Sequence, residues 1–478
     1  MNRLLNFLLL LTCSAGIDIS AQQLFTLDSC RSMAISNNKE LLIANEKIKE
    51  ATYERKSARA NFLPAFDAKA TYLYNQKNIE LISDHTVNSL SSSIGEINKA
   101  IGGIAGALDP GIAGVIGGLG EQLEKVPDKL KEETTFDIKN MFIGNISVEQ
   151  PLFMGGKIWA YHEITKYAED LAISMKRGEV KDIIIEVDQI YWQVVSLVYK
   201  EKMAESYVQL LDTLMSNVND MFIEGIATES DKLTVAVKLN EANVVLTKVK
   251  DGLSLSKMLL AQRCGLPISS QYSLADEVIP PTAIDIPGEI DLNEIYKHRH
   301  EITELELASK IFKKKEVIAR AEMLPEIAFI GNYILSNPMV YDGFQNKFSG
   351  MFNFGVGVSI PIMHWGKNYY KVKAAKSATN TYQLKLADAK ELIELEVNQA
   401  VYKAQEANKT LLMTISNMNM AERNLKNAQF GYLAGVLTTE NILEAQTAWL
   451  KAESEKIDAE IGVKLSQVYL SKAIGKNF

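Results

Sequence analysis

The chain has 478 residues, 47% of them hydrophobic and 23% charged, and a formal net charge of −8. That length predicts two or three domains. An acidic balance with no basic block excludes nucleic acid as a partner class, and three cysteines are too few for a disulfide framework.

In chain order, Arg3 precedes an apolar run, LLNFLLLLTCSAG, and then IDISAQQ. Basic start, short apolar run and small-residue exit predict a secretory signal over 1–21, cut after Ala21. Ile19 is a poor fit at the −3 position. Cys13 raises a lipoprotein alternative, which Thr12 before it disfavours. Cys30 and Cys264 then remain. They could pair in an oxidising compartment, but they read as two isolated buried thiols. Past the signal there is no run of eighteen strongly apolar residues. The nearest, IGGIAGALDPGIAGVIGGLG (101–120), is glycine-rich and broken at Asp109-Pro110. A secreted chain of this kind is soluble or an outer-membrane β-barrel.

Each half of the chain reads alike. The first structural repeat, 22–277, opens on helices that end before Leu63-Pro64. Strands follow over about 66–75 and 141–150, with an inserted extracellular loop at 76–140 expected to be mobile. Pro151 is read as the end of the second strand, Gly155 and Gly156 as the turn into a long helix over 157–223, and a return helix runs over 229–264. A Pro-rich linker covers 278–289. The second repeat, 290–478, has strands over about 327–335 and 352–360, the junction residues Pro361 and Gly366, a long helix over 367–433 and a return helix over 440–474. An offset of 210 aligns the halves: Pro151 with Pro361, Gly156 with Gly366, Glu186 with Glu396, Gly225 with Gly435 and Thr228 with Thr438. Upstream the offset is 261, aligning Glu40 with Glu301 and Leu63-Pro64 with Leu324-Pro325. The first half thus carries 51 extra residues between Pro64 and Pro151.

The strands alternate with period two. Phe66, Ala68, Ala70, Tyr72 and Tyr74 share one face, and Phe352, Phe354, Val356 and Val358 another, although Ile330 and Ile334 blur the contrast in the third strand. A half-buried soluble sheet has the same pattern. The signal and the aromatics past each second strand (Trp159 and Tyr161; Trp365, Tyr369 and Tyr370) favour a membrane strand with its interfacial belt. Four strands are too few to close a membrane barrel, so copies must supply the rest, three copies giving about twelve strands. A 67-residue helix is about 100 Å long, far beyond the usual length. Ala204, Tyr207, Leu211, Leu214, Val218 and Met221 form a coiled-coil seam, thinner in its repeat partner. The segment 183–199 is apolar nearly all round, so it is expected to be buried on several sides.

The remaining chemistry is sparse. Gly156-Lys157 lacks the phosphate-loop pattern, with Pro151 five residues before Gly156 and Ile158 where a hydroxyl is needed. No nucleophile elbow, HExxH, CxxC pair or dinucleotide fingerprint is present, so neither enzyme activity nor a cofactor is expected. His298 and His300, in KHRH, read as a surface helix start rather than metal ligands.

The duplication, the LP before each first strand, the strand-Pro-Gly-Lys junctions and the turns GIATESDKL and GVLTTENIL resemble the TolC-type outer-membrane efflux proteins. The resemblance covers nearly the whole mature chain. It implies a mainly α protein with a small membrane β-barrel: a homotrimer in the outer membrane with a large periplasmic portion, long helices forming an α-barrel and four strands per chain entering a shared 12-stranded β-barrel. It further implies a periplasmic adaptor and an inner-membrane pump, of RND or ABC type, as partners. On that resemblance Gly225, Thr228, Gly435 and Thr438 are adaptor-contacting tips. A pore ring falls on Glu444 and Glu440, with Asn441 departing from the acidic pattern and Asp231 its repeat partner. Two rivals stand beside this reading: a periplasmic coiled-coil adaptor without its own pore, and a secreted pore-former inserting 94–120.

Overall fold

The computed structural model describes residues 23–105, 110–276, 283–288, 290–339, 341 and 345–476. The expected signal, with Cys13, lies outside them, as do parts of the linker. The described chain is mainly helical and forms two compact units. One comprises the chain up to Glu54 with Ile164–Lys313 and Lys376–Phe478, the other Arg55–Glu163 with Lys314–Ala375.

The second unit holds the sheet. Strands β2 (Ala65–Tyr74), β5 (Asn140–Met154), β7 (Glu326–Asn337) and β8 (Ser349–Ser359) pair antiparallel in the order β2-β5-β7-β8. The sheet is open: within one chain β2 and β8 are unpaired edges. Register turns the alternation of each strand into rows across all four. Ala68, Ile146, Tyr333 and Phe352 align, as do Phe66, Val148, Gly331 and Phe354. On the opposite face Asp67, Ser147, Asn332 and Asn353 align, with Asn332 Nδ2 donating to Asn353 Oδ1 at 3.1 Å. Ile334 and Met351 fall on this polar side beside Lys69 and Asn145. One face is therefore apolar through its central rows, with Asn337 and Gln150 at its ends, and Phe66, Tyr72, Ile146, Tyr333, Phe352 and Phe354 stand exposed on it.

Two expectations in this unit are corrected. Pro151 does not end its strand, since β5 continues to Met154. Proline is accommodated because the register shifts between Pro151 and Phe153. Pro151 is the last residue in register before that irregularity, paired with Ala328. Nor is the insertion an irregular loop: helices α3 (Asp84–Ala105), α4 (Pro110–Glu124) and α5 (Val126–Thr134) occupy it, with a short β3–β4 pair (Ile79–Glu80, Thr135–Phe136) at its base. Pro110, read as a break, is the first residue of α4, where its missing N–H removes no helical bond. Val87 and Ile94 are the buried apolar positions of α3, and Asn98 donates to the Gly120 carbonyl at 3.0 Å. No described helix is long and apolar enough to cross a membrane.

The first unit contains the return helices α7 (Glu229–Arg263) and α11 (Thr439–Ala473) and most of the two long helices, α6 (Lys157–Ile223) and α10 (Lys367–Leu433). The all-round apolar stretch of α6 is indeed core: Ile183, Val187, Tyr191, Val194 and Val195 are buried with Leu253 and Leu260 of α7. The seam residues Tyr207, Leu211, Leu214 and Val218 pack against Val235 and Ala242. The short strands β1 (Gln23–Phe25) and β6 (Tyr272–Leu274) pair in parallel beside the first core, and α1 (Leu27–Asn37) docks there, starting at an N-cap on Thr26. Arg31 of α1 makes a two-pronged ion pair to the fully buried Asp188, at 2.7 and 2.6 Å. Asn408 straps the linker to α10, accepting from the Ile284 N–H at 2.9 Å and donating to its carbonyl at 3.0 Å.

The repeat partners Glu40 and Glu301, and Glu186 and Glu396, are each bridged by an arginine, but from different elements. In the first repeat Arg263, the last residue of α7, lies 3.6 Å from Glu40 and 2.6 Å from Glu186. In the second, Arg299, between α8 (Leu292–His298) and α9 (His300–Ala321), lies 2.8 Å from Glu301 and 2.7 Å from Glu396. Arg299 is buried and also donates to the Lys472 and Ala473 carbonyls at the end of α11. KHRH is thus not a plain surface helix start. Its arginine is an internal tie, His300 is half-buried against Gly178, and nearby burial, with the like charges of Glu301 and Asp182, pushes Glu304 up to about 7.

Replacing Arg299 with leucine strands two carboxylates and two helix-terminal carbonyls. The expected loss is about 3 kcal/mol, read as a lower midpoint in denaturant unfolding. Arg263→Leu, at a more exposed site, is expected to cost less.

Candidate pore and docking elements

Three groups of residues singled out in the sequence take definite places. The first is the pair of helix–turn–helix tips. At each, the long helix closes in a Schellman motif on a glycine in the left-handed region. Gly225 has φ 74° and Gly435 φ 70°. The Ile226 N–H donates to the Met221 carbonyl at 2.8 Å and the Val436 N–H to Gly431 at 2.9 Å. The following threonine caps the return helix. Asp231 N–H donates to Thr228 Oγ1 at 3.2 Å, and Thr228 N–H to Asp231 Oδ2 at 2.9 Å. Asn441 and Thr438 repeat both bonds at 3.3 and 3.1 Å. These are reciprocal capping boxes. The bonds from Thr228 hold the Asp231 carboxyl below its ordinary range. Asn441 serves the cap as well as an aspartate does, because only its carbonyl oxygen is used.

The fold brings the two tips together. Tyr432, Ile442 and Leu443 share a core with Val218 and Val235, and the Tyr432 hydroxyl lies 3.5 Å from Met221 sulfur. Outside that core Ile223, Ile226, Leu433 and Val436 are exposed, an apolar surface on both turns. Glu440 and Glu444 stand exposed on the first turns of α11, while Ile442, Leu443, Ala445 and Gln446 beside them are buried.

The second group is the strand-to-helix junctions. Gly155 and Gly156 have φ 60° and 85°, and Gly366 has φ 82°. The repeat partner of Gly155 is Trp365, which takes φ 48°, a left-handed backbone in a bulky residue. Chain context explains why the two positions differ. A Cβ on Gly155 would come within 3.0 Å of the Ala321 carbonyl oxygen and of Leu324 Cβ. At Trp365 the side chain is 89% exposed, so it meets no such wall. Pro361 follows the end of β8. Beside the first junction Leu63, Pro64, Pro151, Met154, Ile158 and Tyr161 line a cavity of about 800 Å³.

The third group, the aromatics Trp159, Tyr161, Trp365, Tyr369 and Tyr370, is exposed throughout. Lys314 lies over the Trp159 ring, 4.2 Å from its centroid, and pairs with Glu163. Lys314 sits in a lysine run that reads as a solvated helix face, so no sequence signal marked it.

Residues 292–476 match the outer membrane efflux protein family. By fold the chain is similar to the Campylobacter jejuni CmeC outer membrane channel, with a TM-score of 0.75 at 16% identity over 94% of this chain and 85% of that one. The outer membrane protein VceC from Vibrio cholerae gives 0.72 at 13% identity, over 95% and 96% of the two chains. The open state of the Neisseria gonorrhoeae MtrE outer membrane channel gives 0.67 at 14%, over 94% and 89%. No curated protein matches. The family match thus covers the second repeat, and the outer-membrane-channel fold extends over both.

Adding a side chain at Gly155 is expected to cost about 1–3 kcal/mol, because the strained φ and the wall at Ala321 act together. Trp365→Gly is expected to relieve about 1 kcal/mol of backbone strain. Thermal unfolding of detergent-solubilised Gly155→Ala and Trp365→Gly variants reads the opposite signs.

Proposed function

We propose that three copies of this chain assemble into an outer-membrane exit duct, the outermost part of a tripartite efflux or type I secretion system. The observation that carries the proposal is the register of the four-stranded sheet. It makes one face apolar through its central rows and leaves two edges open among the described residues. Unpaired edge groups in hydrocarbon cost several kcal/mol each, so a membrane sheet of this kind needs neighbours on both sides. Three chains supply twelve strands, with the apolar face toward lipid and the Asp67–Asn353 side toward an aqueous lumen. The aromatics beside the junctions then sit at the membrane–water boundary, and Trp365 has a use for its strained, exposed position. The long helices continue the duct into the periplasm, where the two apolar tips around Gly225–Thr228 and Gly435–Thr438 meet an adaptor that joins an inner-membrane pump. Small molecules, or peptides and proteins, are the cargo classes such a duct passes. Both the family match and the neighbouring channel structures support this reading. A soluble adaptor, the rival reading, gives the apolar sheet face no partner.

In this assembly Glu444 is placed as a pore ring, three symmetry-related carboxylates selecting cations. Planar-bilayer recordings of Glu444→Ala are expected to show reduced cation selectivity, and unchanged selectivity would remove Glu444 from the pore. Barrel insertion separates the two sheet faces. Tyr333→Arg, on the apolar side, is expected to cost about 2–4 kcal/mol of membrane stability and to deplete the cross-linked trimer in outer-membrane fractions. Asn353→Asp, on the polar side, is expected to leave the trimer intact. Equal loss in both variants, or a monomer soluble without detergent, would overturn the barrel.

A further inference from the structure

The two cysteines expected to be isolated are neighbours. Cys30 lies in α1 and Cys264 follows the last residue of α7. They are separated by 234 positions, yet Cys264 Sγ is 3.7 Å from the Cys30 carbonyl oxygen. Both are free thiols, 0% and 1% exposed, in the core that holds Ala34, Leu260 and Ala261. The backbone on either side is held independently: Asn37 Nδ2 donates to the Cys264 carbonyl at 3.3 Å, and β1 pairs with β6. The fold itself thus meets the entropic demand of bringing the sulfurs together. The second repeat has Asp291 and Ile474 at the aligned positions. There Arg299 performs the equivalent tie, donating to the carbonyls at the end of α11.

We infer that Cys30 and Cys264 form a disulfide that ties the N-terminal helix to the end of the first return helix as the exported chain folds. The inference rests on the outer-membrane location proposed above, because a reducing cytosol keeps such a pair as thiols. The oxidant is a protein or small-molecule disulfide. Either cysteine thiolate attacks one of its sulfurs and expels the other as a thiolate. The thiolate of the other cysteine then attacks the first cysteine's Sγ in the mixed disulfide and expels the second sulfur of the donor. The pair loses two electrons and two protons, and the donor is reduced to two thiols. Complete burial sets the timing, since no donor reaches either sulfur in the folded core. The bond therefore forms before α1 finishes docking, and once formed it is protected from reductant.

The test is thiol trapping. Cells of a diderm host expressing the full-length chain are quenched in acid and fractionated. The protein is alkylated in denaturant with and without prior reduction, and the labels on Cys30 and Cys264 are read by peptide mass mapping. The expected result is chain in the outer-membrane fraction with neither residue labelled before reduction and both labelled after it. Cys30→Ala and Cys264→Ala should each leave one residue labelled without reduction. Outer-membrane chain with both residues labelled before reduction overturns the cross-link and leaves the duct reading intact. Chain absent from that fraction overturns the duct reading and, with it, the cross-link.

Discussion

A four-stranded sheet with one apolar face and two unpaired edges sets the terms for the rest of this molecule. Phe66, Tyr333, Phe352 and Phe354 lie in rows that no other part of the described chain covers. Full burial of such a side chain stabilises by about 1.5–3 kcal/mol, so leaving a whole face in water is unfavourable. The edge strands add unpaired backbone groups, a template for pairing with another chain. The proposed trimer answers both demands at once, since neighbouring copies take the edges and lipid takes the face.

The duplicated chain meets the same structural demand twice, often with different residues. A left-handed position is needed at each strand-to-helix junction; a wall at Ala321 restricts it to Gly155 in one repeat, and open surroundings admit Trp365 in the other. Each tip needs a residue that returns a bond to its capping threonine, and Asp231 and Asn441 both supply an acceptor oxygen. Each repeat places two glutamates together, and an arginine from a different element bridges them. These differences exchange side chains while each demand is still met. They explain how the repeats keep one architecture after their sequences have diverged.

Several features escaped the linear reading for a common reason. Pro151 reads as a strand end because proline cannot donate to a ladder, but pairing with β7 carries the strand on to Met154 past a register shift. Arg299 sat among histidines that suggested a surface. Its burial depends on Glu396 and the end of α11, 97 and more than 170 positions away. Cys30 and Cys264 looked isolated for the same reason, being 234 positions apart.

By itself the sequence determined what depends on neighbours a few positions away: period-two strands, long proline-free helices, capped Gly-x-x-Thr turns, and a duplication visible as a constant offset. These rest on local sterics and on side-chain periodicity, which the linear order encodes directly. Only the tertiary structure decided which distant groups meet. It set the rows of the sheet, the contact between the two tips, the arginine bridges and the pairing of the two thiols. Those contacts depend on strand register and helix docking, where the packing of many side chains selects one arrangement that no local pattern specifies.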